Sequence, residues 1–271
     1  MRVFVEGVGL CGPGLNGWAA SLPVLAGRHE YAAAATSIPP SLLLPANERR
    51  RAAQIVKIAL AVGTEALTAA GRDPAETAAV FTSSGGDGET IHEILNVLAS
   101  PQRELSPTRF HNSVHNAASG YWSIATGSTA ASTSLCCHDD SFTAGLLEAL
   151  VQAVTRQDAV VLIAYDVQYP APINALRPIG AAFAVALVLS PAPTAAAFAE
   201  VELALAPGHV AASEAALPAL EMLAQSTPAA RCLTLLTALA RRETGCVRLN
   251  YLEDMALTMN VAPIAAERNA L

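Results

Sequence analysis

Two long apolar runs limit what this chain can fold into. Residues 158–164 (DAVVLIA) and 181–190 (AAFAVALVLS) contain almost no polar side chain. Continuous apolar runs of this length are typical of central strands that are covered on both faces. Helix-like segments alternate with strand-like segments along the rest of the chain. The pattern predicts an α/β or mixed α/β architecture with a layered core.

The other segments are predicted from their periodicity and from the Gly and Pro residues that end them. A strand begins at residue 2 and ends in a turn at residues 11–14, and Asn47 is predicted to cap a helix that stops at Gly71. A short apolar strand at residues 78–84 leads into a glycine-rich loop. The remaining predicted elements are helices at 16–26, 89–99, 141–154, 217–223 and 231–241 and strands at 246–251 and 255–261.

The composition agrees with one domain of mixed class. With 271 residues, 52% apolar and only 14% charged residues, the chain can bury a large core, and much of its surface is expected to be covered too. The net charge of −7 argues against nucleic acid as a partner. The one basic cluster, arginines 49–51, is typical of the solvated start of a helix.

Cysteine usage and the apolar stretches bear on the location of the protein. Five cysteines, an odd number without a secretory signal, fit free thiols in a reducing compartment rather than a disulfide framework. The first strand begins at once, which leaves no room for a targeting segment. The apolar stretches at 179–189 and 233–239 are too short to span a bilayer and are predicted to be a buried strand and a buried helix. We therefore expect a cytoplasmic protein without a membrane span.

A pair of adjacent thiols, Cys136 and Cys137, precedes the predicted helix at 141–154. Small residues at 127–131 allow close backbone packing before the thiols. A thiol at such a strand-to-helix junction lies near the positive end of the helix dipole, which favours the thiolate. This placement suggests acyl-thioester chemistry or the remains of it. The competing interpretation is two small buried hydrophobic residues, because free cysteine is among the most buried residue types.

A nucleophilic thiol needs a proton acceptor within hydrogen-bond reach. Of the six histidines, none follows His209, so the last part of the chain cannot supply a histidine base. His138 comes directly after the thiols, but adjacent side chains usually point apart, which makes it a weak geometric candidate. Asp139 and Asp140 fit either paired carboxylates for acid-base chemistry or, as we expect, groups that stabilise the helix dipole.

Two further motifs suggest ligands, and each has a structural alternative. Residues 85–88 (GGDG) follow a strand, where exposed amides can bind a phosphate. The dinucleotide fingerprint and the Walker lysine are both missing and Asp87 would repel a phosphate, so we expect a tight turn that only glycine fits. His111 and His115 are four residues apart and would share a helical face, as in a metal pair. Because the two histidines have no acidic partner on the same helix, we expect both to have structural roles. We expect neither a metal nor a cofactor.

Several ordered segments together resemble the β-ketoacyl synthases. VFVEGVGLCGPGLNGWAASLPVLAG is similar to their first strand and turn, and ERRRAAQIVKIALAVGTEALTAAG to their first long helix. AVFTSSGGDGE resembles their strand and glycine loop, and FHNSVHNAASGYWSIATG the segment before the nucleophile. DAVVLIAYDVQYP and AAFAVALVLS resemble the strands that complete the amino-terminal half. The resemblance implies a thiolase-like layered αβαβα fold, with a β-ketoacyl synthase amino-terminal-like domain at 1–192 and an abbreviated carboxy-terminal part at 193–271 packed on the same core.

The resemblance also implies a loss of catalytic groups. Counting forward from Gly127 places Cys136 at the family's active-site cysteine, whereas counting backward from Gly145 places Cys137 there. The family's two catalytic histidine motifs, one Thr-His-Gly and one Asn-rich with glycines, do not occur in the sequence. A chain of this kind resembles the chain length factors. Three segments are most similar to the short ketosynthase-like subunits of aryl polyene pigment clusters: NERRRA, SSGGDGE and SPTRFHNSVHNAASGYWSIATGST.

This resemblance implies that the chain forms a heterodimer with a full-length ketosynthase across an edge strand and shapes the tunnel that holds the growing polyene. The partner would supply the acylated cysteine and both histidines, and an acyl carrier protein would be a further partner. The residues implied at the shared interface and tunnel are Gly85, Gly86, Asp87, His111, Val114, His115, Asn116 and Ala117.

Two other functions stay open. A self-sufficient β-ketoacyl synthase or acyltransferase would use Cys136 or Cys137 as acyl acceptor, with His138 or His115 as base. A stand-alone scaffold or carrier-docking module would need a basic surface, and arginines 49–51, 103 and 109 leave little to meet an acidic carrier protein. The apolar composition favours a surface covered by a partner, which a homodimer would satisfy equally well.

Overall fold

The computed structural model of the protein describes residues 1–208, 212–215 and 217–264. Within them the strands are β1 (Arg2–Gly12), β2 (Leu15–Asn16), β3 (Ala78–Thr82), β4 (Ser132–Leu135), β5 (Val160–Asp166), β6 (Phe183–Ser190), β7 (Ala199–Pro207), β8 (Gly245–Tyr251) and β9 (Met255–Pro263). The α-helices are α1 (Trp18–Leu25), α2 (Ala46–Arg51), α3 (Gln54–Ala70), α4 (Gly88–Ala99), α5 (Pro107–Asn112), α6 (Ala117–Thr126), α7 (Ser141–Arg156), α8 (Ile173–Leu176), α9 (Pro218–Ser226) and α10 (Leu233–Arg241). Short 3-10 helices, His138–Asp140 and Pro228–Cys232, precede α7 and α10.

The strands of the described residues form a nine-stranded mixed sheet in the order β4-β3-β5-β6-β1-β7-β9-β8, with β2 paired to β1. The pairs β3–β4 and β3–β5 are parallel, whereas the other pairs are antiparallel. Strands β5 and β6 are buried along their whole length, as their continuous apolar sequences predict. Strands β4 and β8 form the two edges, so each has one side without a neighbouring strand.

Helices and strands alternate in layers around two hydrophobic cores. Helices α3 and α6 pack on one face of the β4-β3-β5-β6-β1 half of the sheet. On the other face, α7 contacts β3 and β5 on one side and β8 on its other side, and α10 contacts β8 and β9. Helices α7 and α10 therefore form a central layer between the two halves of the sheet. This arrangement confirms the predicted layered α/β fold.

In the described residues, the carboxy-terminal half of the sheet is covered on one face only. Along β7, Val201 and Leu203 are buried against the central layer, whereas Glu202 and Ala204 are exposed, and Asn260 of β9 is exposed too. Such alternation is typical of a strand with one solvated face. Among the residues that the structure describes, no helix covers this outer face. The predicted truncation therefore corresponds to a missing outer helical layer.

The boundaries of several elements differ from the prediction. The helix predicted from Asn47 to Gly71 is two helices, because Ala52 and Ala53 are extended, and Asn47 lies inside α2 rather than at its cap. The first helix begins at Trp18 instead of residue 16. Strands β2, β4 and β7 and helices α5, α6 and α8 are not among the predicted elements.

The two apolar stretches of the sequence occupy the core as predicted. Residues 183–189 of the first stretch lie in the fully buried strand β6, and residues 233–239 lie in α10, whose side chains are mostly buried. Within the described ranges, every helix is too short or too polar to cross a membrane.

Candidate functional site

The two thiols lie in a turn between β4 and α7, here named the thiol turn (residues 136–140). Cys136 is exposed, and its Sγ donates to the carbonyl of Ser84 at 3.2 Å. The amide of Cys137 donates to Ser141 Oγ at 3.0 Å, and that hydroxyl donates to the carbonyl of His138 at 2.7 Å. The Ser141 hydroxyl therefore closes the turn at the start of α7. The predicted strand-to-helix placement of the thiols is confirmed.

The environment of Cys137 disfavours the thiolate. Burial of this half-buried thiol raises its pKa above 9.0, and the negative charge of Asp140 and the neighbouring Cys136 raise it further. These effects oppose the lowering of the Cys137 pKa that the positive end of the α7 dipole would cause. The prediction that this position favours the thiolate is therefore wrong for Cys137.

Neither candidate histidine is placed as a base for these thiols. His138 is exposed, and its Nδ1 lies 3.6 Å from Asp139 Oδ1. His115 Nε2 lies 3.0 Å from the carbonyl of Ser83. Because a carbonyl oxygen only accepts, Nε2 of His115 carries the proton in this bond, and Cys136 Sγ donates to the carbonyl of Ser84 rather than to the free Nδ1 of His115.

His111 and His115 do not share a helical face, which corrects the prediction. Helix α5 ends at Asn112, so His111 lies in its last turn and is exposed, whereas His115 lies beyond the helix. The Asn112 side chain donates to the carbonyl of Arg51 and accepts from the hydroxyl of Tyr121. In the described part of the chain, no group of three or more metal-ligating side chains comes together.

Asp139 and Asp140 are bound by arginines from distant segments. Arg177 Nη2 lies 2.5 Å from Asp139 Oδ1, and Arg231 lies 3.4 Å from Asp139 and 2.7 Å from Asp140. The amide of Leu252 donates to Asp140 Oδ2 at 2.9 Å. Asp140 stands at the N-cap of α7 but makes no capping hydrogen bond with its side chain. Ion pairing, which sequence analysis missed, is therefore their main interaction.

The glycine loop is a tight turn, as predicted. A Cβ on Gly85 would lie 1.8 Å from the hydroxyl oxygen of Tyr169, and one on Gly88 would lie 2.2 Å from the Tyr169 ring. Gly86 has a φ of +69°, which favours glycine. Asp87 is buried and caps α4, because Oδ1 accepts from the amide of Thr90 at 3.2 Å. The loop thus serves packing and capping.

Asp166, at the end of β5, connects the glycine loop with the carboxy-terminal part. Its Oδ1 accepts from the amide and hydroxyl of Ser84 at 2.8 and 2.7 Å and from the hydroxyl of Ser83 at 3.2 Å. Its Oδ2 accepts from the amide of Ala229 at 2.8 Å. Burial raises the pKa of this carboxyl by more than its hydrogen bonds lower it. A lone acidic residue after a long apolar run is the sequence signal that could have identified this position.

Among the described residues no further strand pairs with the outer edge of β4, and exposed apolar side chains lie on α4, α5 and α6 and on the segment between α5 and α6. Helix α6 contacts β4, and α5 contacts α4. The resemblance placed Val114, Asn116 and Ala117 in this region, where the first two are exposed and Ala117 is half-buried. We name the exposed side chains of this region the apolar patch, which comprises Leu95, Leu98, Phe110, Val114 and Ile124.

Residues 26–248 match the family model of the β-ketoacyl synthase N-terminal domain. No curated protein matches the sequence significantly. Among solved structures, a ketosynthase (ApeO) in complex with its chain length factor (ApeC) from Xenorhabdus doucetiae has a TM-score of 0.73 at 20% identity, covering 96% of this chain and 99% of that one.

Two further structures are similar in fold. The ishigamide ketosynthase/chain length factor has a TM-score of 0.73 at 13% identity, covering 98% of this chain and 100% of that chain. The AntDE:AntF structure, a type II polyketide synthase acyl carrier protein in complex with its ketosynthase bound to the hexaketide, has a TM-score of 0.73 at 12% identity. It covers 97% of this chain and 99% of that chain. At these identities the likeness establishes the fold.

Proposed function

This chain belongs to the family of the β-ketoacyl synthase N-terminal domain, and we propose that within it the chain acts as a chain length factor. It would pair with a full-length ketosynthase and shape the tunnel for the growing acyl chain. The reaction setting is type II fatty-acid or polyketide-like biosynthesis, with an aryl polyene as product. Solved structures with the same fold include a ketosynthase with its chain length factor, which supports the proposal.

The proposal rests on two observations among the described residues, the open edge of β4 and the exposed side chains of the apolar patch. Exposed apolar side chains that cluster in one region normally mark an interaction site. An unpaired strand edge offers backbone hydrogen bonds to a second strand. The patch includes Phe110, which is 65% exposed, and Leu95, which is 53% exposed. Together these features fit a partner that extends the sheet and covers the patch.

The proposal assigns the condensation chemistry to the partner. Both Cys136 and Cys137 are present, but the pKa of Cys137 is raised, and in the described residues Cys136 Sγ donates to the carbonyl of Ser84 rather than to a histidine. A thiol without a positioned base is a poor acyl acceptor at neutral pH. The partner ketosynthase would therefore supply the acylated cysteine and its histidines.

The tunnel would run along the glycine loop and the segment from His111 to Ala117. His115 connects the two parts, because its ring binds the carbonyl of Ser83 and a Cβ on Gly86 would lie 3.5 Å from it. Asp87, Val114 and the nearby backbone would then set how deep the acyl chain extends. Substitutions here should change product length.

The proposal also includes a cytoplasmic location and an acyl carrier protein as a further partner. All five cysteines are free, which fits a reducing compartment such as the cytoplasm. A carrier protein bound to its ketosynthase occurs in one structure of this fold, and an acyl carrier protein would deliver substrate to the complex.

Pairing across β4 can be tested with a proline. The amide of Ala79 donates to the carbonyl of Ala131 and that of Ser83 to the carbonyl of Leu135, so the odd-numbered residues of β4 bind β3. The amide of Ser134 therefore points to the open edge. Ser134→Pro removes an outward donor and leaves the ladder to β3 intact. We expect it to abolish co-purification with a co-expressed ketosynthase.

The matched control lies on the opposite edge of the sheet. Arg248 of β8 binds Ser213 with both its amide and its carbonyl, so the even-numbered residues of β8 point away from β9. Cys246→Pro thus removes an outward amide at the other edge, and it should leave co-purification unchanged. Loss of the complex in both variants, or in neither, would contradict pairing across β4.

The alternative function, a self-sufficient condensing enzyme, is favoured by the exposure of Cys136. Intact-protein mass spectrometry distinguishes the two functions after incubation with malonyl- and acyl-carrier protein. Acyl mass only on the co-purified ketosynthase supports the chain length factor. Acyl mass on this chain alone, lost in Cys136→Ala/Cys137→Ala, would make the chain an enzyme in its own right. The same double substitution should leave the activity of the complex nearly unchanged.

A further inference from the structure

The thiol turn is tied to three distant segments of the chain through its two acidic residues. Asp139 binds Arg177, which follows α8, and both Asp139 and Asp140 bind Arg231, which lies before α10. The amide of Leu252, in the turn between β8 and β9, binds Asp140 as well. We name Arg177 and Arg231 the arginine clamp. All four charged side chains are 40% exposed or less, so water screens these pairs only in part.

The residue between the thiols and the clamped carboxylates has an unfavourable backbone conformation. His138 has a φ of +51°, in the left-handed region that non-glycine residues rarely adopt. Such a conformation persists only where the surrounding structure holds it. Here the Ser141 hydroxyl binds the carbonyl of His138, and the clamp holds the two residues that follow. The clamp is therefore placed to maintain the strained turn.

We infer that the arginine clamp keeps the thiol turn closed and thereby restricts the access of electrophiles to Cys137. When the clamp is released, His138 relaxes, the turn opens and Cys137 becomes reactive. In the closed turn Cys137 is half-buried, whereas Cys136 on the preceding residue is exposed. The inference concerns the isolated chain and holds whether or not a ketosynthase partner binds.

Alkylation of Cys137 by iodoacetamide tests the clamp, because the thiolate attacks the methylene carbon and iodide leaves. Rates are followed by peptide mass spectrometry in a Cys136→Ser background, with the exposed Cys246 as an internal reference. We expect Arg231→Met to accelerate alkylation of Cys137 about tenfold and to leave that of Cys246 unchanged. Arg231→Lys should give an intermediate rate, because an ammonium group replaces the bidentate guanidinium poorly.

The direction of the change in the alkylation rate distinguishes opening of the turn from an electrostatic effect on the pKa of Cys137. Removing a cation beside Asp140 leaves its negative charge less compensated, which raises the pKa of Cys137 and slows alkylation. The clamp predicts acceleration instead. A rate in Arg231→Met that equals or falls below that of the Cys136→Ser parent would therefore overturn the inference.

Two further variants serve as a control for arginine removal and as a substitute if Arg231→Met does not fold. Arg241→Met removes an exposed arginine at the end of α10, for which no ion pair occurs among the described residues, and should not change the rate. If Arg231→Met fails to fold by circular dichroism, Arg177→Met decides, because it removes the other half of the clamp. Acceleration in Arg177→Met supports the clamp, and an unchanged rate would contradict it.

Discussion

Asp166 binds Ser84 twice, through the Ser84 amide at 2.8 Å and the Ser84 hydroxyl at 2.7 Å. The carbonyl of the same serine accepts the thiol of Cys136 at 3.2 Å. The other carboxylate oxygen of Asp166 binds the amide of Ala229, which lies in the 3-10 helix before α10. One buried carboxylate thus connects the loop at Ser84, whose carbonyl binds Cys136, with the carboxy-terminal part of the core.

We predict that Asp166→Ala lowers the free energy of unfolding by about 3 kcal/mol, because it leaves the buried amides of Ser84 and Ala229 without acceptors. Asp166→Asn should cost less, about 1–2 kcal/mol, since its single oxygen replaces only part of the acceptor capacity. Urea unfolding followed by circular dichroism measures both. The exposed Glu30→Gln is the control and should change the midpoint little. Equal stability of Asp166→Ala and the wild type would show that the network contributes no net stability.

A second prediction concerns the close approach of α3 to β1. A Cβ on Gly9 would lie 2.0 Å from the backbone carbonyl oxygen of Val62, so the helix itself would have to move. We therefore expect Gly9→Ala to lower the free energy of unfolding by about 3 kcal/mol. The thermal or urea midpoint of the purified chain measures this change.

Gly120 is the matched control for Gly9. It lies inside α6, and a Cβ there would meet nothing within 4 Å. Gly120→Ala should raise the free energy of unfolding by about 0.5–1 kcal/mol, because alanine favours the helix more than glycine does. The two substitutions add the same methyl group with opposite expected signs. A loss of stability in Gly120→Ala would mean that something other than steric contact governs these positions.

Local sequence patterns predict most of the core but not the long-range contacts of the site. The runs that form β5 and β6 are apolar throughout, since both faces of these strands are covered. The break between α2 and α3 has no Gly or Pro to signal it, and the carbonyl of Arg51 there is bound by Asn112 from α5. The partners of Asp139 and Asp140 lie 38 and 91 residues away, so no local spacing could indicate them.

The third prediction is a pH dependence. Because burial, Asp140 and Cys136 all raise the pKa of Cys137, the midpoint of its alkylation rate against pH should lie above the usual range of a cysteine thiol. Thiol reactivity follows the thiolate fraction, so the rate at about pH 7 is low and rises about tenfold per pH unit below the midpoint. Asp140→Asn removes a negative charge and should shift the midpoint to lower pH.

Iodoacetamide rates between about pH 7 and about pH 10, resolved by peptide mass spectrometry, give this midpoint. Glu30→Gln serves as the control, because it removes an exposed carboxylate that belongs neither to the thiol turn nor to the arginine clamp. A midpoint that moves equally in both variants, or that lies below the midpoint of the exposed Cys246 in the wild type, would contradict the assigned causes of the shift.

The last prediction tests whether the apolar patch binds the proposed ketosynthase partner. Phe110 is 65% exposed in the patch, and Met222 is 70% exposed on α9, which packs in the carboxy-terminal part of the core. We expect Phe110→Glu to weaken the complex about tenfold or more, because it would bury a charge where a large aromatic side chain otherwise fills the interface. Met222→Glu should leave the affinity unchanged, and neither variant should shift thermal unfolding much, since both side chains already face solvent. Affinities are measured by titrating the purified ketosynthase. An equal loss in both variants would indicate non-specific apolar association rather than an interface at the patch.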